Sequence, residues 1–478
     1  MPLRYASALA SLCLLGLAAC GPLGAASGVS GTVDSSLLDR HEERANLVYA
    51  FAGAGTTSGA PVATAPVRQD TGACTFRYSL AGLPDGAYTV ALTSDGGRTF
   101  RRSESVTIAG AAAAHHFTPA RIVRVGPRRR HTHPDQVTGI VRSGDVVEID
   151  AGPYRGPASI WSTDNLTLRG VGGRAHLVAP ATIGNGKAIW VTVGANIAVE
   201  NVEFSGAAVP HHNGSGIRAE GRDLAVCGSY FHDNQEGILG GGGRVLVEYS
   251  EFARNGNCDD PEGCAHNIYI VNTARFTLRH SYSHHARIGH VVKSRARENH
   301  ILYNRLMDEA DGTSSYIIDL PEGGLSYVIG NLLQQGPRTD NPVILAYGAE
   351  GLRHPSRTLY VVNNTFVNDL GSGTFVSVAP GGTATVQNNL FVGAGTAVGG
   401  AAIQLSNLAT SAPRFVDRGA FDYRPTAATP GIDRGTAPGT AGAFDLTPVY
   451  QYVHPAGREP RLTRNAIDIG AYEYSPGP

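Results

Sequence analysis

Val199-Glu200-Asn201-Val202-Glu203-Phe204, Val247-Glu248-Tyr249-Ser250-Glu251-Phe252, Leu278-Arg279-His280-Ser281-Tyr282, Leu302-Tyr303-Asn304-Arg305-Leu306, Ile329-Gly330-Asn331-Leu332-Leu333, Val362-Asn363-Asn364-Thr365-Phe366 and Val386-Gln387-Asn388-Asn389-Leu390-Phe391 are one pattern written seven times. Each unit is a short strand, a polar turn carrying Asn or Ser, and a second strand. The units recur at intervals of roughly 20–33 residues. A unit that short cannot bury its own apolar face, so it has to stack on its neighbours. Alternation along each strand turns one set of side chains inward and the other outward. Stacked Asn side chains then hydrogen-bond from turn to turn.

The pattern resembles the right-handed parallel β-helix of pectate-lyase-like proteins over about residues 137–400. The predicted class is all-β, with the solenoid spanning 120–405. Residues 29–119 read differently, as short alternating strands with frequent turns. There Leu83-Pro84-Asp85-Gly86-Ala87-Tyr88 resembles a turn of carboxypeptidase-regulatory-like, transthyretin-type β-sandwiches, which implies an accessory domain. Residues 406–478, with Ala412-Pro413-Arg414-Phe415 and Ile467-Asp468-Ile469-Gly470-Ala471-Tyr472-Glu473, resemble the C-terminal wrap of secreted β-helix proteins. That resemblance implies a cap over the last coil.

The N-terminus has Arg4 followed by an apolar run too short to span a bilayer. It ends in Leu17-Ala18-Ala19-Cys20-Gly21, which resembles a bacterial lipobox. Residues 1–20 are therefore predicted to be a lipoprotein signal, with Cys20 lipidated, and 21–28 a linker. The resemblance implies export and anchoring to the outer membrane. Outside the cytoplasm cysteines pair, and Cys258 and Cys264 are expected to close a small loop. Cys74 and Cys227 fall in different predicted domains and are left unpaired.

The chain has 478 residues, 42% of them hydrophobic and 17% charged, which suffices for a large core. Its net charge of -1 argues against nucleic acid as a partner. Of 39 basic residues only Lys187 and Lys293 are lysine. Arg stays charged at any working pH, whereas Lys can be tuned to act as a base.

Anchoring the coils on the Asn turn aligns His266 with His290 and Tyr269 with Lys293, at a constant offset of 24. One slip in the next loop places Asp319 beside Lys293, and Ser315 or Tyr316 beside His290. Tyr269, Lys293 and Asp319 then form one outward column, and His266 and His290 begin a second. Coils stack about 4.8 Å apart, so these five side chains share one patch and are the predicted catalytic set. Arg295, Asn267 and Arg287 are the predicted substrate-binding residues. Proton abstraction beside a uronate carboxylate needs charge neutralisation, a base and an acid, and Lys, Arg, Tyr and His can supply all three.

Gly289-His290-Val291-Val292-Lys293-Ser294-Arg295-Ala296, followed by Asn304, resembles the lysine-serine strand of the chondroitinase B and alginate lyase β-helix family. In that family a Lys is the base and an Arg on the next coil is the acid. The resemblance implies β-elimination on an acidic polysaccharide. The family's acidic calcium ligands are replaced here by Arg287, Gly289 and His290, and its Arg by Asp319, so the chain is expected to work without a cofactor. Asp259, Asp260 and Glu262 are the residues left to hold calcium. The implied partners are the polysaccharide and, through the anchor alone, a membrane; the chain is expected to be a monomer. Three alternatives stand beside the lyase. A glycoside hydrolase would use Asp319 with Glu322, Asp259 or Asp260 at the carboxylate spacings those enzymes need. A C5 epimerase would share the proton abstraction, although Asp260-Pro261-Glu262 only faintly echoes the epimerase motif. A glycan-binding solenoid would have no chemistry at all.

Overall fold

The computed structural model describes residues 27–71, 74–258 and 263–476. The signal sequence, Cys20 and the triplet Asp259, Asp260 and Glu262 lie outside the described residues.

Gly28–Val33, Arg68–Gln69, Phe76–Ala81 and Ala113–Phe117 form one sheet of a sandwich; Leu47–Ala52, Ala63–Pro66, Gly86–Thr93 and Arg102–Ile108 form the other. Phe76–Ala81 shows why: Phe76, Tyr78 and Leu80 turn inward, while Arg77, Ser79 and Ala81 face water. In the turn that follows, Tyr88 donates its hydroxyl proton to the Pro84 carbonyl (2.9 Å).

From Ile122 to Thr410 the chain winds through parallel strands. One sheet has ten strands, among them Ser215–Ala219, Glu236–Gly240, Ile268–Ile270, Val292–Ser294, Ile318–Leu320 and Val343–Tyr347. Two further faces alternate with it, joined through the long strand Thr167–Val178, which pairs with both Ala198–Glu200 and Val202–Ser205. Inside, Phe204, Phe231 and Phe252 stack at 4.9 and 4.8 Å. The polar turn is a ladder. Asn304, Asn331, Asn364, Asn389 and Asn407 each pass an amide hydrogen bond to the next, at 2.9–3.0 Å. The residue before the ladder Asn takes a left-handed conformation, as Asn363 and Asn388 do, which Asn tolerates well. His280 is buried in this turn, stacked between Tyr249 and Tyr303.

Two expectations are corrected here. Cys74 and Cys227 are bonded across 153 residues of sequence, which staples the sandwich to the solenoid. The register supplies the reason: Cys227 stands between Glu200 and Glu248 on the outer face the sandwich covers. Arg40 of the sandwich reaches the same face and pairs with Glu200 and Glu248. The tail, for its part, packs along the flank of the solenoid rather than over its end. Tyr423, Tyr452 and Ile469 bury against Tyr282, Met307, Leu332 and Val367. In the last coil Gln404 and Ala409, whose register partners Val386 and Phe391 are buried in the core, remain exposed.

Cys258 and Cys264 form the second disulfide, and both bridges suit an oxidising compartment. Among the described residues, no helix is long and apolar enough to cross a membrane.

Candidate active site

On the ten-stranded sheet, Leu239, Tyr269, Lys293, Asp319 and Ala346 are register partners from coil to coil. The inward neighbours Ile268, Val292 and Ile318 are fully buried, so strand alternation turns the column outward. Beside it run Ser215, Glu236, His266 and His290; Ser215 pairs with Glu236, and the two imidazoles stack at 4.4 Å. Gly289 permits this approach, because a Cβ there would sit 1.7 Å from the Ala265 carbonyl oxygen. The two columns floor a cleft of about 520 Å³, rimmed by His211, His212, Asn213 and Cys264.

Lys293 Nζ lies 3.6 Å from Asp319 Oδ2, 3.1 Å from Glu350 Oε1 and 5.3 Å from the Tyr269 ring centre. Arg295 donates from Nε to the Tyr269 hydroxyl oxygen (2.8 Å), from Nη1 to Glu322 (2.9 Å) and from Nη2 to Glu350 Oε2 (2.6 Å). Lys293 and Arg295 therefore close on the two oxygens of one carboxylate. The Glu350 backbone N–H is tied to the Pro321 carbonyl (3.0 Å). Partial burial acts to raise the Glu350 carboxyl, but the hydrogen bonds from Arg295 and Lys293 hold it below the usual range.

His266 Nδ1 accepts the His290 backbone N–H (2.8 Å), and His290 Nδ1 accepts that of Tyr316 (3.3 Å). Each neutral ring therefore carries its proton on Nε2 and can donate but not accept there. Burial, with Lys293 beside it, pushes His290 down to about 3; burial likewise lowers His266. His290 Nε2 stands 3.4 Å from Asp319 Oδ2. Burial pushes Asp319 up to about 6 against the pull of Lys293. Burial raises Glu236 well above its ordinary value, and the His266 backbone N–H, with the cations Arg218 and Lys293, only partly offsets it. Among the described residues its Oε2 has no hydrogen-bond partner. Burial thus favours its neutral form in the cleft floor, and ionising it costs stability. That contribution is present at low pH and lost as pH rises toward the raised pKa. Glu236→Gln is therefore expected to melt with wild type near pH about 4 and above it in alkaline buffer. Thermal denaturation across pH checks this, and a variant that melts lower at every pH sinks it.

Of the residues predicted from sequence, Lys293, Asp319, Tyr269, His266, His290 and Arg295 come together. Asn267 does not join them. It is fully buried, accepts from Asn255 Nδ2 (3.0 Å) and donates to Ser283 and His284 in a second amide ladder, so no substrate reaches it. Arg287 points away to Asp233 (2.6 Å). Lys187 makes an exposed pair with Glu220. Sequence reasoning missed Glu350 and Glu236, and it offered Glu322 only as a hydrolase carboxylate, whereas Glu322 pairs with Arg295 (2.9 Å). Only Glu236 left a signal: Glu236-Gly237-Ile238-Leu239 repeats the spacing of His266-Asn267-Ile268-Tyr269 one coil earlier.

The described cleft offers calcium few free oxygens: burial favours the neutral form of Glu236, and Asp319 and Glu350 already face Lys293, with Arg295 on Glu350 as well. A calcium site needs several free anionic oxygens.

Residues 157–332 match a family model described as right handed beta helix region. No curated protein matches the sequence. Among solved structures, pectate lyase Pel9A is similar at 15% identity, covering 75% of this chain and 97% of its own, with a TM-score of 0.53. An alginate lyase from Paenibacillus sp. str. FPU-7 is 12% identical over 61% of this chain and 99% of its own (TM-score 0.39). A rhamnogalacturonan lyase is 11% identical over 62% and 91% (TM-score 0.40). The solenoid of this chain is a right-handed parallel β-helix, the fold it shares with pectate lyase Pel9A.

Proposed function

We propose that the chain is a polysaccharide lyase that cleaves a uronic-acid-containing polymer by β-elimination, exported and held to the outer membrane by a lipid on Cys20. One observation carries the reading: Arg295 and Lys293 grip a single carboxylate, that of Glu350, in an open cleft. A uronate carboxylate has the same chemistry and would displace it. Arg295 then neutralises the sugar carboxylate, and the Lys293 amine takes the C5 proton. The electron pair left behind forms the C4–C5 double bond as the C4–O bond breaks. Tyr269 gives its proton to the departing oxygen; its own oxygen already accepts from Arg295 Nε, so its O–H is free to point at the sugar. Asp319 and His290 position Lys293 from below. The likeness to Pel9A supports the fold that holds this groove, and the acidic substrate class rests on the cation pair.

The test is a panel of acidic polysaccharides, read by the ultraviolet absorbance of an unsaturated uronate and by new reducing ends. Reducing ends without the unsaturated product overturn the elimination. They would favour a hydrolase built on Asp319 and Glu350. Both touch Lys293 Nζ, which keeps their oxygens within about 7 Å, near the roughly 5–5.5 Å of retaining enzymes.

Glu350 competes with the substrate in this reading. Glu350→Gln is expected to lower KM for the polymer about twofold to fivefold, the worth of a partly exposed ion pair, and to leave kcat nearly unchanged. A collapse of kcat instead would make Glu350 part of the chemistry.

A further inference from the structure

His176, Glu203 and His232 stand on three successive coils, on a different face from the cleft. His176 is the register partner of Glu203, and Glu203 neighbours the strand Tyr230–His232 on its other side. Ala175, Leu177, Phe204 and Phe231 on these strands are buried, so alternation turns all three side chains outward, where each is partly covered. Glu203 Oε1 lies 3.4 Å from His176 Nδ1 and 3.1 Å from His232 Nε2. The ligand atoms of the three residues all fall within 4.8 Å of one another.

The two distances from Glu203 match coordination. Ligands held about 2.0–2.1 Å from a tetrahedral ion stand roughly 3.3 Å apart. The remaining ring nitrogens are already oriented. His176 Nε2 is 2.7 Å from Ser205 Oγ, and His232 Nδ1 is 2.8 Å from Asp233 Oδ2. Such outer partners fix the tautomer that presents a lone pair to a metal. Asp233 is itself held, by Arg287 at 2.6 Å and Arg254 at 3.3 Å. The Tyr230 ring stacks on His232 at 4.5 Å and restrains its rotation. Two imidazoles and one carboxylate suit zinc, and three protein ligands leave a fourth position for water.

We propose that His176, Glu203 and His232 form a zinc site that ties three coils of the solenoid together. The site lies before Tyr282 and Met307 on the same face, where the C-terminal tail packs. It would brace coils that the tail's main contacts do not reach.

The test uses the full-length, untagged chain, stripped with chelator and titrated with zinc chloride in a calorimeter. One zinc per chain is expected, with a rise in melting temperature on saturation. His176→Ala with His232→Ala is expected to weaken binding at least 100-fold. Asp233→Asn acts through His232 and is expected to cost about tenfold. A variant with His232→Gln that melts like the stripped wild type, yet no longer shifts on adding zinc, separates ligand loss from misfolding. Cobalt in place of zinc should give the visible absorption of a tetrahedral ion. No heat of binding to the stripped chain overturns the proposal. So does zinc binding of unchanged affinity in the double variant, since the metal would then sit on other imidazoles.

Discussion

Lys293→Ala is expected to abolish formation of the unsaturated product, by at least about a thousandfold in kcat/KM, the scale on which a positioned acid–base group acts. The folded state should survive. Lys293 faces outward over the sheet, and its inward neighbour Val292 supplies the packing. Removal does leave Asp319 without its cation, but that carboxyl is already pushed up to about 6 by burial and can take up a proton instead. The Lys→Arg replacement separates charge from proton transfer. Arg keeps a cation beside Arg295 and so retains much of the affinity for a polyuronate, but it does not give up its proton. Lys293→Arg is therefore expected to bind substrate with a KM near wild type and turn it over at the rate of Lys293→Ala. Turnover restored in Lys293→Arg would reduce Lys293 to a point charge and move the base elsewhere. Steady-state kinetics on the substrate found in the panel, with near-UV circular dichroism to verify the fold, decides between these outcomes.

The cleft shows which kinds of contact a sequence can carry. Tyr269, Lys293 and Asp319 are register partners in the structure, and they are legible because the Asn turn fixes phase: one offset carries Tyr269 to Lys293, and a single slip in the next loop brings Asp319 into the column. A residue arriving from a loop has no phase. Glu350 and Glu322 reach Arg295 across loops whose lengths set no register, and strand periodicity holds no information about them. Glu236 has phase too, one coil before His266, but outside the coils that share the offset of 24. Asn267 illustrates the opposite failure. An Asn one residue from an outward His reads as a groove residue, yet alternation turns it inward, to the second amide ladder. Contacts between domains were the least legible. The Cys74–Cys227 bridge spans 153 residues, and only the stacking of Glu200, Cys227 and Glu248 on one outer face makes those partners adjacent.

Arg40→Ala is expected to destabilise the chain by about 3–5 kcal/mol at neutral pH, the cost of stranding buried charge. Arg40 is buried, with Nη2 at 2.8 Å from Glu248 Oε1 and its other nitrogen on Glu200. Both carboxylates are buried too. Arg279 remains on Glu248 in the variant, at 2.7 Å, so Glu200 bears most of the loss. Its next cation, Arg169, stands beside it in the register but makes its hydrogen bonds to Asp34 (2.7 Å). The pH dependence follows from the same pairing. Burial works to raise the Glu248 carboxyl, yet Arg279 and Arg40 outweigh it and hold Glu248 down to about 2. A depressed carboxyl contributes stability above its unfolded pKa of about 4.3 and loses it as pH falls toward the folded value. For Glu248 that contribution is of order 3 kcal/mol. The melting temperature of the wild type is thus expected to drop between about pH 4.3 and pH 2, and that of Arg40→Ala to drop less steeply. Arg40→Met, which fills the space without the charge, should melt no higher than Arg40→Ala by more than its packing gain. If Arg40→Ala melts with the wild type at neutral pH, the sandwich is held by the disulfide and its apolar contacts alone. The buried pairs would then be worth no more than the water they displaced.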